Sequence, residues 1–81
     1  MKDKSIERTL EEIGLKLRAL RKKKGYTSAE SFAYDHDLPR VHYWRIESGK
    51  VNITLKSLHK ILSIHKISIE EFFADKNGKR A

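Results

Sequence analysis

No cysteine occurs in this 81-residue chain. Disulfide staples and thiolate metal sites are therefore excluded. No apolar run approaches the roughly 18 residues that a membrane span needs. The opening MKDKSIERTLEE alternates charges and lacks an apolar signal core, so no secretory peptide is expected and the reading is cytoplasmic. Proline occurs once, as Pro39, and glycine four times, as Gly14, Gly25, Gly49 and Gly78. With so little punctuation, no repeat, low-complexity tract or interdomain linker breaks the chain. A length of 81 residues allows one domain with one modest core.

Positive charge, by contrast, is plentiful. Lys+Arg number 18 against 11 Asp+Glu, a formal net charge of +7. So strong a field on so short a chain favours polyanionic partners, nucleic acid above all, although it also serves as a solubilising surface.

Apolar residues recur at helical spacing. Ile6, Leu10, Ile13, Leu17 and Leu20 draw one inward stripe along a first helix, with Thr9-x-x-Glu12 as a candidate capping box. Arg21-Lys22-Lys23-Lys24 sits where the helix dipole favours cations, and Gly25 stops the helix. Thr27-x-x-Glu30 and Ser28 offer overlapping caps for a second helix to Asp35, with Phe32 and Ala33 inward. His36-Asp37-Leu38-Pro39 reads as a turn, with Asp37 in the left-handed region. A third helix spans Arg40 to Ser48 and ends at Gly49. Thr54 or Asn52 opens a fourth, with Leu55, Leu58, Ile61, Leu62 and Ile64 inward. Ser68-x-x-Glu71 caps a short fifth helix bearing Ile69, Phe72 and Phe73. The expected fold is all-α, a compact five-helix bundle over residues 6–75. Loose ends are expected at 1–5 and in the basic tail 76–81.

At 100° per residue the third helix divides into two faces. Tyr43 and Ile46, with Leu38 before them, point to the core. Val41, Trp44, Arg45 and Ser48 share the opposite face, flanked by Arg40 and His42. A short helix presented after a tight turn makes a helix-turn-helix, and such a face suits a major groove about 12 Å wide. Arginine can bond guanine in bidentate fashion, and apolar groups can meet a thymine methyl. The competing reading is a protein-interaction module in which Trp44 and Val41 cover a partner's surface.

The frame Arg21…Gly25…Ala33…Glu47-x-Gly49, with LRALRKKKGYTS, RVHYWRIESG and LKSLHKILSIHKISIEEFF, resembles the helix-turn-helix domains of the phage Cro and repressor type, the Xre family. The resemblance covers about residues 9–74. It implies a five-helix bundle that reads double-stranded DNA with its second and third helices, usually as a dimer on two-fold symmetric operators. It implies base reading at Arg40, Val41, Trp44 and Arg45; for the two arginines, a nonspecific phosphate contact is the alternative. Backbone contacts are implied at Ser48, Lys50 and Asn52, and His42 flanks them. The glutamine that commonly holds phosphate in the family is replaced by Ser28 or Ala29. The customary turn glycine is Asp37, preceded by His36. The resemblance also implies a structural bridge between Arg21 and Glu47. Ile64, Phe72 and Phe73 either close the core or form a homodimer seam. A bacterial or phage transcription regulator, repressor or controller, is the function implied. Restriction-modification controllers and antitoxins share the pattern.

No catalytic constellation is visible, so no enzyme and no cofactor are expected. The histidines His36, His42, His59 and His65 lack metal-ligand spacing, so no metal is expected either.

Overall fold

In a computed structural model, residues 4–74 are described. The expectation of a basic tail at 76–81 lies outside them. Among the described residues the secondary structure is helical throughout: α1 (Lys4–Lys23), α2 (Ala29–Asp35), α3 (Arg40–Glu47), α4 (Leu55–Ile64) and α5 (Ile69–Phe73). None of these helices is long and apolar enough to cross a membrane.

The caps follow local chemistry. Ser28, Thr54 and Ser68 each accept a backbone N–H from the third residue of the following helix, at Ser31, Ser57 and Glu71. Each bond satisfies a donor that the first turn would leave unpaired. At Ser68 the box is reciprocal, because Glu71 also accepts from the Ser68 backbone N–H. Asp37 has φ 59° and Gly49 has φ 70°, the left-handed positions that end α2 and α3. Lys66 adopts the same conformation after α4, where the sequence offers no glycine.

The core gathers Ile13, Leu17, Phe32, Ala33, Leu38, Tyr43, Ile46, Leu58, Ile61, Leu62 and Phe72. Phe32 sits at its centre. Its ring lies 5.2 Å from that of Tyr43, 4.6 Å from His36 and 5.3 Å from His65, the last pair nearly parallel. Such aromatic contacts add to simple area burial. The Nε2 atoms of His36 and His65 are buried here with no hydrogen-bond partner among the described residues. Burial, then the nearby Lys24 and His36, lowers the pKa of His65 below its ordinary 6.5.

Several sequence expectations are corrected. Thr9 caps nothing; α1 already runs through it, and its hydroxyl donates to the Ser5 carbonyl. Lys4 and Ser5, expected in a loose end, are the first residues of α1. Ile6 and Leu55 are exposed rather than inward, at 51% and 69%. Both lie on a predicted stripe, but in the opening turns of their helices, where the described residues leave the stripe uncovered. Phe72, offered as a dimer contact, is spent within the chain at 5% exposure. Lys16 reaches across from α1, donates to the Phe72 carbonyl and lies 4.5 Å from the centre of its ring.

Candidate nucleic-acid interface

α3 is only eight residues long, about 12 Å. A helix this short is marginal in isolation, so its shape must come from what holds it. Its buried residues are Tyr43, Ile46 and Glu47. α2 and α1 supply the walls against which they pack.

The C-terminal end of α3 is locked by charge. Arg21, at the end of α1, is 5% exposed, and Glu47 is 4% exposed. Arg21 Nε donates to Glu47 Oε2 at 2.8 Å and Nη2 donates to Oε1 at 3.0 Å, a two-pronged pair. Tyr43 Oη donates to the same Glu47 oxygen that takes the Nε bond. Arg21 Nη1 donates to the Tyr26 carbonyl at 2.9 Å, so the pair also ties down the link between α1 and α2. The hydrogen bond to Glu47 raises the pKa of Arg21, against the lowering effect of burial. Burial, seconded by the bond to Glu47, raises the Tyr43 hydroxyl far above its usual 10, so it remains a donor. The more exposed Arg18 stands 3.8 Å from Glu47.

Gly14 makes this approach possible. A Cβ built on it would stand 2.3 Å from the Glu47 carbonyl oxygen and 2.8 Å from that of Ile46. α1 and α3 therefore touch backbone to backbone. At Gly49 a Cβ would stand 2.9 Å from the Glu11 Cα, so that turn is also pressed against α1.

The other face of α3 is open. Val41 is 71% and Trp44 54% exposed, and Arg40, His42 and Arg45 are exposed beside them. Ser48 is half-buried, and its hydroxyl donates to the Trp44 carbonyl at 2.9 Å. Lys50 and Asn52 are exposed on the loop that follows. Two further anticipated backbone contacts lie at the start of α2. The Ser28 hydroxyl is engaged in capping α2 and donates to Ser31 Oγ, and Ala29 is 9% exposed. Ile64 is half-buried and Phe73 40% exposed, so of the suggested seam residues Phe73 is the most open.

Three features were missed in the sequence. One is the Tyr43 bond to Glu47; its i,i+4 spacing on a helix was the available signal. A second is the close approach at Gly14. The third is Glu30, whose Oε2 accepts from Arg40 Nη1 at 2.9 Å.

The chain is 47% identical over 63 residues to "Control protein C.MunI" of Mycoplasma sp, an overlap of 78% of this chain and 85% of the relative. It is 39% identical over 46 residues to "Plasmid copy control protein CopR" of Streptococcus agalactiae, covering 57% of this chain and half of that protein. No family model matches the chain. No solved structure matches it either.

Proposed function

The chain belongs to the family of the control protein C.MunI, and from that premise we propose that it is a controller-type transcriptional regulator that binds double-stranded DNA. The observation that carries the reading is the division of α3. Its buried residues are spent on a rigid lock, while Arg40, Val41, Trp44 and Arg45 stand together in solvent on a chain of net charge +7. In this reading α3 lies in the major groove as the recognition helix of a Cro/repressor-type (Xre) helix-turn-helix. Arg40 and Arg45 bond base edges, and Val41 and Trp44 meet thymine methyls. His42, Ser48, Lys50, Asn52 and the first turn of α2 at Ser28 and Ala29 lie along the sugar-phosphate backbone.

The protein acts in the cytoplasm as a homodimer on a two-fold symmetric bacterial or phage operator. The two α3 helices are then roughly 34 Å apart, one turn of B-DNA. Phe73, the most exposed of the candidate residues, and Ile64 contribute to the seam. Binding-site selection from random duplexes, followed by a salt titration and sedimentation, tests the reading. A selected pseudo-palindrome whose affinity falls steeply with salt is expected. Failure of both selected and random duplexes to bind at low salt overturns it.

The exposure of Trp44 and Val41 supports a second reading, a protein-interaction module with these two as anchors. Association with a protein partner that tolerates salt, together with no duplex binding, would favour it.

A further inference from the structure

Around α3 the exposed basic groups are Arg40, His42, Arg45 and Lys50. Among the described residues one carboxylate contact stands against them: Glu30 on α2, which holds Arg40 Nη1 at 2.9 Å. Both side chains remain largely in solvent, 58% exposed for Arg40 and 70% for Glu30. So exposed a pair contributes little to stability. Its consequence is for what Arg40 can bind. The carboxylate offsets part of the positive charge that a phosphate would seek, and it occupies one end of the guanidinium.

Glu30, Arg40, Val41 and Trp44 line one recess of about 350 Å³ at the junction of α2 and α3. A donor fork, an acceptor and an apolar wall therefore stand side by side. In the major groove a G·C pair presents two acceptors, guanine N7 and O6, next to one donor, the cytosine N4 amino group. An arginine beside a glutamate complements that order: the guanidinium donates to guanine and the carboxylate accepts from cytosine. A thymine carbonyl at the same place would face the carboxylate acceptor to acceptor. Discrimination built partly on repulsion is a common route to specificity.

We infer that Glu30 is a specificity-determining residue, forming with Arg40 a coupled reader of one G·C base pair in each half-site while withholding Arg40 from phosphate. This rests on the DNA-binding reading above. The test begins with binding-site selection by the wild-type protein, Glu30→Gln and Glu30→Ala. Affinities for the selected and a scrambled duplex are then measured for these, for Arg40→Ala and for the Glu30→Ala/Arg40→Ala double variant. Because both side chains are exposed, melting temperatures should match the wild type.

The wild type is expected to demand G·C at one position of each half-site. Loss of the carboxylate should relax that position about tenfold or more. It should also steepen the salt dependence on scrambled DNA by about one ion, because Arg40 is released to phosphate. The Arg40 and Glu30 effects should be coupled on both duplexes: on the selected one each loss costs specificity through the other, and on the scrambled one removal of Glu30 should strengthen binding only while Arg40 is present. If the wild type selects a site and Glu30→Gln selects the same site with an unchanged specificity ratio, the inference is overturned while the DNA-binding reading stands. If the wild type binds no duplex, both fall.

Discussion

Gly14→Ala sets two well-known effects against each other. α1 runs from Lys4 to Lys23, so Gly14 lies in its interior. There, alanine is favoured over glycine by about 1 kcal/mol. Judged on helix propensity alone, the substitution stabilises. The structure says otherwise. The new methyl would stand 2.3 Å from the Glu47 carbonyl oxygen and 2.8 Å from both the Glu47 carbonyl carbon and the Ile46 carbonyl oxygen. All three atoms are backbone and cannot rotate aside, so α3 as a whole must give way. Overpacking of this kind costs about 1–3 kcal/mol. The displacement also pulls Glu47 from Arg21, and misplacing one member of a buried pair puts a further 3–5 kcal/mol at stake, as an order of magnitude. Overpacking less the propensity gain leaves about 0–2 kcal/mol, and a modest part of the pair's energy brings the expected net loss to roughly 1–3 kcal/mol. For a domain of this size that lowers the melting temperature by about 5–15 °C. Thermal denaturation followed by circular dichroism measures it. Ala19→Gly, at an exposed position in the same helix, supplies the control and should cost about 1 kcal/mol. Propensity alone gives the two substitutions opposite signs; the close approach makes both destabilising. A Gly14→Ala variant that melts at or above wild type refutes the argument.

Arg21→Ala leaves Glu47 charged and buried, so a loss of about 3–5 kcal/mol is expected in urea denaturation. Arg21→Lys restores the charge without the two-pronged geometry and should recover only part of it. The lowered pKa of His65 predicts acid sensitivity. Its folded-state pKa lies below that of the unfolded chain, so its contribution is fully present above about pH 6.5 and is lost as pH falls through the folded value. Melting temperature should therefore decline between pH 7 and pH 5, and His65→Phe should flatten that decline; an unchanged slope rules His65 out as its source. On the nucleic-acid side, Arg45→Ala should cost about 1–3 kcal/mol on the selected duplex and relax one base position. Lys50→Ala should weaken all duplexes alike and reduce the salt slope by about 1. Fluorescence anisotropy over a salt series separates the two.

Much of the bundle was legible because its signals are local. The Ser68 box, the glycine stops at Gly25 and Gly49 and the left-handed Asp37 depend on residues within a few positions of one another. The division of α3 was legible for the same reason: 100° per residue separates Tyr43 from Trp44 whatever surrounds them. Ile6 and Leu55 were misread because periodicity says which residues share a stripe, not where that stripe finds a partner. Gly14 was invisible for a related reason. A glycine inside a helix looks like a weakness until the second backbone arrives, and that backbone lies 32 or 33 residues further along the chain, at Ile46 and Glu47. The Glu30–Arg40 contact crosses between helices and follows from the angle at which α2 meets α3, which no spacing rule supplies.

The arrangement along α3 also explains why the fixed and the free ends differ. At its C-terminal end, Glu47 receives Arg21 and Tyr43, and Gly14 admits α1 against the backbone. At its N-terminal end the cap position is Pro39, which makes no side-chain capping bond. There the helix is held by Leu38 in the core, by the Leu38 N–H, which donates to the Ala33 carbonyl at 2.8 Å, and by the exposed Arg40–Glu30 pair, which contributes little to stability. Arg40 and Val41 thus stand on the end with the fewest side-chain restraints, and Arg45 stands next to the lock. If α3 reads bases, the two arginines should respond differently to damage at the lock. Loosening Glu47 by Glu47→Gln lets the helix pivot about its Leu38 end, so Arg45 moves further than Arg40. The specificity lost should therefore concentrate at the base position assigned to Arg45 by Arg45→Ala. Selection experiments on the three proteins decide it. A uniform loss at both positions would mean that α3 moves as a rigid body, and that the lock sets only the stability of the domain.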